Sequence, residues 1–146
     1  MNYSGAMEFI KSVDSLLLST HMNADGDGIG SLLALSDMLK QMGRQHRIVV
    51  NDDRPDPKFA FLSGFDRIES YKSLEAWSPI SGAVFLDTPT ITSRRVGNVA
   101  HLLSQSTRTL IVDHHADDTD DGSVVLIDPN ASATSEIVFG LIKKSG

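Results

Sequence analysis

A chain of 146 residues, 40% of them hydrophobic, has the size of one domain and enough apolar material for a buried core, which excludes a disordered tail and a disulfide-stapled miniprotein. Cysteine is absent, so thiolate catalysis, cysteine zinc sites and iron–sulfur clusters are excluded as well. The formal net charge of −6 argues against duplex DNA as a partner, since duplex binding feeds on Lys and Arg, but not against a phosphate-bearing substrate whose charge is neutralised by bound cations.

Short apolar runs alternate with helical patterns along the chain. Ala6 to Val13 reads as a short helix, and Leu16-Leu17-Leu18 opens a buried strand that runs on to Thr20. Gly28 to Met42 carries Ile29, Leu32, Leu33, Leu35, Met38 and Leu39 at helical spacing, with Gly43 as its stop. Arg47 to Val50 is a second strand, Asn51 to Pro57 a turn-rich loop, Lys58 to Leu62 a short helix, and Arg67 to Tyr71 a marginal strand. Gly82 to Leu86 and Thr109 to Val112 are strong strands flanking a predicted helix over Thr92 to Ser104. Ala116 to Gly122 is an acidic loop, Ser123 to Ile127 a fifth strong strand, and Ser132 to Lys144 a closing helix with Ser132 as its N-cap candidate. Continuous apolar strands alternating with helices predict an α/β fold, a parallel five-stranded sheet with helices on both faces, and a site beyond the carboxyl ends of the strands. No apolar run is long enough to span a membrane and no basic, apolar leader opens the chain, so a cytoplasmic protein is the expectation.

The chemistry lies at the ends of the strands. His21, Asp25 and Asp27 come after the first, Asp87 after GAVFL, Asp113, His114 and His115 after TLIV, and Asp128 after SVVLI. Four of the five strong strands thus end in Asp or His, and a parallel sheet brings such ends to one edge. The chain has 15 Asp against 4 Glu, and Asp is the shorter, stiffer ligand for a tight cluster. Carboxylates packed together repel unless a cation joins them, and carboxylate with imidazole suits Mn²⁺, Mg²⁺, Zn²⁺, Co²⁺ or Fe²⁺. The number of donors exceeds what one ion needs. It predicts a pair of ions about 3.5–4 Å apart, bridged by a shared carboxylate. Gly26, Gly28 and Gly30 permit a tight loop, but the P-loop lysine is lacking. His46 and His101 lie off the pattern and read as structural, Asp117, Asp118, Asp120 and Asp121 as a solvated loop, and Phe59, Phe61, Phe65 and Trp77 as core or docking residues.

HMNADGDGIGS, Asp87 after VFL, Asp113-His114-His115 and DPNASATSE together resemble the four motifs of the DHH phosphoesterase superfamily, most closely its branch acting on very short oligoribonucleotides and 3′-phosphoadenosine 5′-phosphate. The match runs from about His21 to Glu136. The resemblance implies a metal-dependent phosphohydrolase with two divalent ions, Mn²⁺ first and Mg²⁺ or Co²⁺ next. His21, Asp25 and Asp87 would hold one ion, and Asp27, Asp87, His114 and Asp128 the other. It implies catalytic roles for Asp87, His115 and Asp113, with Asp113 orienting a histidine, and substrate contacts from His115 and Arg95, while Ser132, Thr134 and Ser135 read as caps of the last helix, phosphate contacts, or both. Arg95-Val96-Gly97 stands a little further along than the family's Arg-x-Gly, which leaves the choice between Arg94 and Arg95 open. Short single-stranded RNA or a nucleotide is the implied partner, for a monomer or a homodimer. Inorganic pyrophosphatase, cyclic-dinucleotide phosphodiesterase and a catalytically weak metal- or nucleotide-binding module are the alternatives. Family enzymes carry a second, C-terminal substrate-binding domain. The resemblance therefore implies one domain over residues 1–146, truncated before that partner or minimal without it.

Overall fold

A computed structural model describes residues 1–74, 80–116 and 123–146 of the chain. The expected acidic loop and Trp77 fall outside the described residues, as does the run Asp117, Asp118, Asp120 and Asp121.

The helices are α1 (Tyr3–Ser12), α2 (Gly26–Gln41), α3 (Ser93–Val96) and α4 (Thr134–Ser145). The strands are β1 (Ser15–Thr20), β2 (Gln45–Val50), β3 (Ile68–Ser70), β4 (Gly82–Leu86), β5 (Arg108–Asp113) and β6 (Val124–Ile127). All neighbouring strands pair in parallel, in the order β3-β2-β1-β4-β5-β6. The sheet therefore has six strands and not five, because the marginal segment over Arg67–Tyr71 does join the sheet, Ile48 pairing with Ile68 at the β2 edge. The direction in which strands are added reverses between β1 and β4, and a crevice at their carboxyl ends is the expected binding place of such a sheet.

Alternation along each strand divides the core. Leu16, Leu18, Ile48, Val50, Val84, Leu86, Leu110 and Val112 pack on α1, α2 and α4. Leu17, Val49, Phe85 and Ile111 face the other way, onto Val96 and Val99. In α2, Ile29, Leu32, Leu35 and Leu39 are fully buried, each contributing about 1.5–3 kcal/mol relative to exposure. Asp25 caps this helix with its side chain, accepting from the Gly28 N–H at 2.9 Å, so the helix starts two residues before the predicted Gly28. Gly43, at φ +68°, ends it in a Schellman motif, with Gly43 N–H on the Lys40 carbonyl and Arg44 N–H on that of Leu39.

The helix predicted over Thr92–Ser104 does not form as one piece. Gly97 adopts φ +61°, and a Cβ there would lie 2.2 Å from the Asn51 side chain, so α3 stops at Val96 and a 3₁₀ segment, Gly97–Leu102, follows. The short helix expected over Lys58–Leu62 is a 3₁₀ turn, Pro57–Phe59. Ser132 is not the N-cap of the last helix. Its N–H and its hydroxyl both donate to the Glu136 carboxylate at 2.8 Å, and the helix opens at Thr134 with no side-chain cap from its own N-cap position.

Candidate metal centre

The exits of β1, β4 and β5 meet in a cleft of about 330 Å³ lined by His21, Asp25, Asp27, Asp87, His114 and His115, with Arg94 and Arg95 on its wall. Asp87 is central. It leaves β4 with φ +59°, a left-handed conformation uncommon outside glycine and best tolerated by Asn and Asp. Its buried carboxylate presents Oδ2 to His21 Nε2 at 3.3 Å and Oδ1 to His114 Nε2 at 3.6 Å. Ligand-type atoms gather in two groups, one of His21, Asp25 and Asp87, the other of Asp87, Asp113, His114 and His115, and Asp87 is common to both. Asp27 adjoins the second group, with Oδ2 at 3.8 Å from His114 Nε2.

The surrounding backbone fixes how these groups present themselves. The Met22 carbonyl lies 2.6 Å from His21 Nδ1, so that nitrogen carries a proton and Nε2 faces Asp25 and Asp87. Asp113, fully buried, bonds His115 Nδ1 through Oδ1 at 2.8 Å, which turns the Nε2 edge of the half-exposed His115 ring outward. The other Asp113 oxygen is buried and has no hydrogen-bond partner among the described residues. Asp27 is held by α4. Its two oxygens accept the N–H groups of Thr134 and Ser135 at 2.9 and 2.8 Å, so a side chain from α2 takes two orphan donors of another helix.

These contacts push the acid–base groups apart. The Asp87 hydrogen bond takes His21 up to about 9, against the desolvation that burial brings. Asp87 itself is raised, first by burial, with the charges of Asp27 and Asp25 adding and the hydrogen bonds from His21 and Thr134 opposing. Burial works upward on Asp27 too, but the N–H groups of Ser135 and Thr134 outweigh it and hold the group below the ordinary carboxylate value. Mixed carboxylate and imidazole donors, imidazoles with one nitrogen anchored, a shared buried carboxylate and an unpartnered buried oxygen together fit a site for divalent cations.

Other candidates make other contacts. Asp128, a predicted ligand, accepts from the Asn130 N–H at 3.0 Å and closes the turn after β6, and it belongs to neither ligand group. Thr134, a predicted substrate contact, is fully buried, and its hydroxyl donates to Asp87 Oδ1 at 3.1 Å. It supports the cluster from below. Ser135 meets Asp27 through its N–H, and Ser132 is committed to Glu136. His46 lies on β2 against the Ser36 hydroxyl and His101 is exposed on the 3₁₀ segment, both apart from the cleft. Sequence reading missed Asn51 and Asp52, which come after β2 in the same position from which the other strands deliver their Asp and His. Asp52 accepts the N–H groups of Asn23 and Ala24, and Asn51 that of Asn98.

Comparison with known proteins agrees with this geometry. Residues 15–146 match the family described as "DHH family, N-terminal domain". A protein of Thermus thermophilus named bifunctional oligoribonuclease and PAP phosphatase NrnA is 30% identical over 141 residues, covering 95% of this chain and 40% of that protein. Its namesake in Bacillus subtilis is 23% identical over 137 residues, covering 92% and 41%. The crystal structure of an exopolyphosphatase-related protein from Bacteroides fragilis superposes with a TM-score of 0.83 at 25% identity, over 99% of this chain and 43% of that one. The chain spans about two fifths of the length of the curated relatives it matches. It belongs to the DHH family.

Proposed function

We propose that this DHH-family domain hydrolyses phosphoester bonds in short oligoribonucleotides or nucleoside bisphosphates, using two divalent cations of which Mn²⁺ is the first choice. The observation that carries the reading is Asp87, a buried carboxylate with one oxygen toward His21 and the other toward His114. His21, Asp25 and Asp87 would hold one ion, and Asp27, Asp87 and His114 the other. When bound, such ions supply an activated water and neutralise charge on the phosphate oxygens.

The chain's own residues do the rest. The Met22 carbonyl keeps the proton of His21 on Nδ1, which leaves Nε2 as the donor atom. The N–H groups of α4 keep Asp27 ionised and fixed in place. Asp113 orients His115, so that its Nε2 edge would face a phosphate oxygen of the substrate. Arg95, with Arg94 beside it on the cleft wall, offers a planar fork for a phosphate. A cleft of about 330 Å³ has the scale of a nucleotide-sized ligand and not of a duplex. The reading extends to the whole protein, in which a C-terminal domain closes on the substrate from across the cleft.

The test is turnover with Mn²⁺ on a panel of dinucleotide, nucleoside 3′,5′-bisphosphate, cyclic dinucleotide and pyrophosphate. Hydrolysis of the first two, lost in Asp87→Asn, supports the proposal. Preference for pyrophosphate or the cyclic dinucleotide moves the substrate class. Binding of Mn²⁺ and nucleotide with no turnover on any of the four makes the domain a binding module.

A further inference from the structure

We infer that Asp52 is a positioning residue for the His21–Asp25 half of the site, acting through the backbone of the loop that carries both side chains. The inference rests on the metal reading above and adds a residue from β2, a strong strand that delivers no group to the cluster.

The geometry is that of a clamp. Asp52 Oδ1 accepts the Asn23 N–H at 2.9 Å and Oδ2 accepts the Ala24 N–H at 3.1 Å. Two successive N–H groups point the same way because Asn23 lies at φ +54°, in the left-handed region. One carboxylate therefore fixes the middle of a five-residue loop with His21 at one end and Asp25 at the other. Both oxygens face amides of this loop and Asp52 belongs to neither ligand group, so its role is support. β2 lies directly beside β1, Ile48 pairing with Leu18, so the clamp spans adjacent strand exits and is anchored in the sheet.

The same loop is tied on its other side. The Met22 N–H donates to the Arg95 carbonyl at 2.7 Å, and the segment bearing Arg94 and Arg95 is held in turn by the Asn51 side chain, which accepts from the Asn98 N–H at 2.8 Å. Asn51 and Asp52 thus bracket the ligand loop and the arginine wall from one strand end. Without Asp52, Asn23 and Ala24 lose their acceptor, and nothing on the β2 side holds the left-handed turn that sets the spacing of His21 and Asp25.

The experiment compares wild type, Asp52→Asn and Asp52→Ala by Mn²⁺ titration calorimetry and, without metal, by amide hydrogen exchange followed by NMR. Expected in Asp52→Ala are exchange at Asn23 and Ala24 faster by about tenfold or more, unchanged exchange at Ser135, and one Mn²⁺ site weakened by about 10–100-fold. Asp52→Asn, which keeps one acceptor, falls between. A role in general stability alone would instead move Ser135 and the β5 amides together with the loop. If the alanine variant does not fold, the asparagine variant carries the same comparison. Wild-type protection at Asn23 and Ala24, or wild-type Mn²⁺ affinity at both sites with the loop exposed, overturns the inference. A wild type that binds no Mn²⁺ sinks the metal reading, while the metal-free exchange still decides whether Asp52 holds the loop.

Discussion

Thr134→Val isolates the support beneath Asp87. The two side chains have nearly the same shape, so the change opens no cavity, and the residue 134 N–H that holds Asp27 is untouched. What is lost is one hydroxyl, donated to Asp87 Oδ1 at 3.1 Å by a residue with no exposed surface. The second contact, to Asp113 Oδ1 at 3.5 Å, is at the limit of a hydrogen bond and adds little. A buried hydrogen bond to a charged group contributes about 1.5–3 kcal/mol. In a chain of this size that lowers the melting temperature by roughly 4–10 °C. The Thr134 hydroxyl also opposes the rise of the Asp87 pKa, so valine takes Asp87 higher still and Mn²⁺ binding weakens most on the acid side. Urea unfolding in EDTA measures the first effect, calorimetric Mn²⁺ titration the second, and a double-mutant cycle with Asp87→Asn attributes both to the pair. Unfolding free energy within about 0.5 kcal/mol of wild type, together with unchanged Mn²⁺ affinity, would show that the hydroxyl holds nothing.

Asp87→Asn is expected to remove Mn²⁺ binding while leaving metal-free stability equal or higher, because it deletes a buried charge repelled by Asp25 and Asp27 and because asparagine accepts φ +59°; calorimetry and unfolding in EDTA check the two halves. Metal-free stability is expected to fall as pH rises. His21 goes from 6.5 to about 9 on folding, so the native state binds the extra proton, its contribution is complete below about pH 6.5, and it is lost by about pH 9. The raised Asp87 acts with the same sign, and urea midpoints across that window, flattened in His21→Gln, are the measurement. Gly28→Ala places a Cβ 2.7 Å from Thr20 Oγ1 and pushes α2 off β1, costing about 1–3 kcal/mol. Adding Thr20→Ala, where the Thr20 hydroxyl has no partner among the described residues, restores part of that loss in the same unfolding assay.

The sheet was legible because each strand announces itself locally: continuous apolar residues buried on both faces leave few other assignments. β3 was marginal because Ile68–Ser70 is only three residues long and takes its strand character from pairing with β2, a contact no local window contains. The break at Gly97 depends on Asn51, far away in sequence. The expectation that strand ends meet brings His21, Asp25, Asp27, Asp87 and His114 to the lining of one cleft. It gave no means of separating Asp87 from Asp128. Both come directly after an apolar strand, but Asp87 turns inward through a positive φ, whereas Asp128 accepts from the N–H two residues on and closes a turn. Thr134 reads from sequence as a helix cap, a phosphate contact, or both. Its burial follows from the docking of α4 on α2 and β5, a tertiary fact.

The two central carboxylates show why the arrangement suits chemistry and not only cation storage. Asp27 and Asp87 stand against the same histidine, yet their surroundings drive them in opposite directions. Backbone N–H groups at the start of α4 hold Asp27 down, so it stays anionic across the working range and makes a rigid, weakly basic donor. Burial and like charge push Asp87 up, so it is the more basic donor of the two. The proposed second set consists of Asp27, Asp87 and His114, with Asp113 and His115 gathered beside them. The sheet thus brings a carboxylate held by the N–H groups of α4 and a more basic one at its switch point against the same histidine.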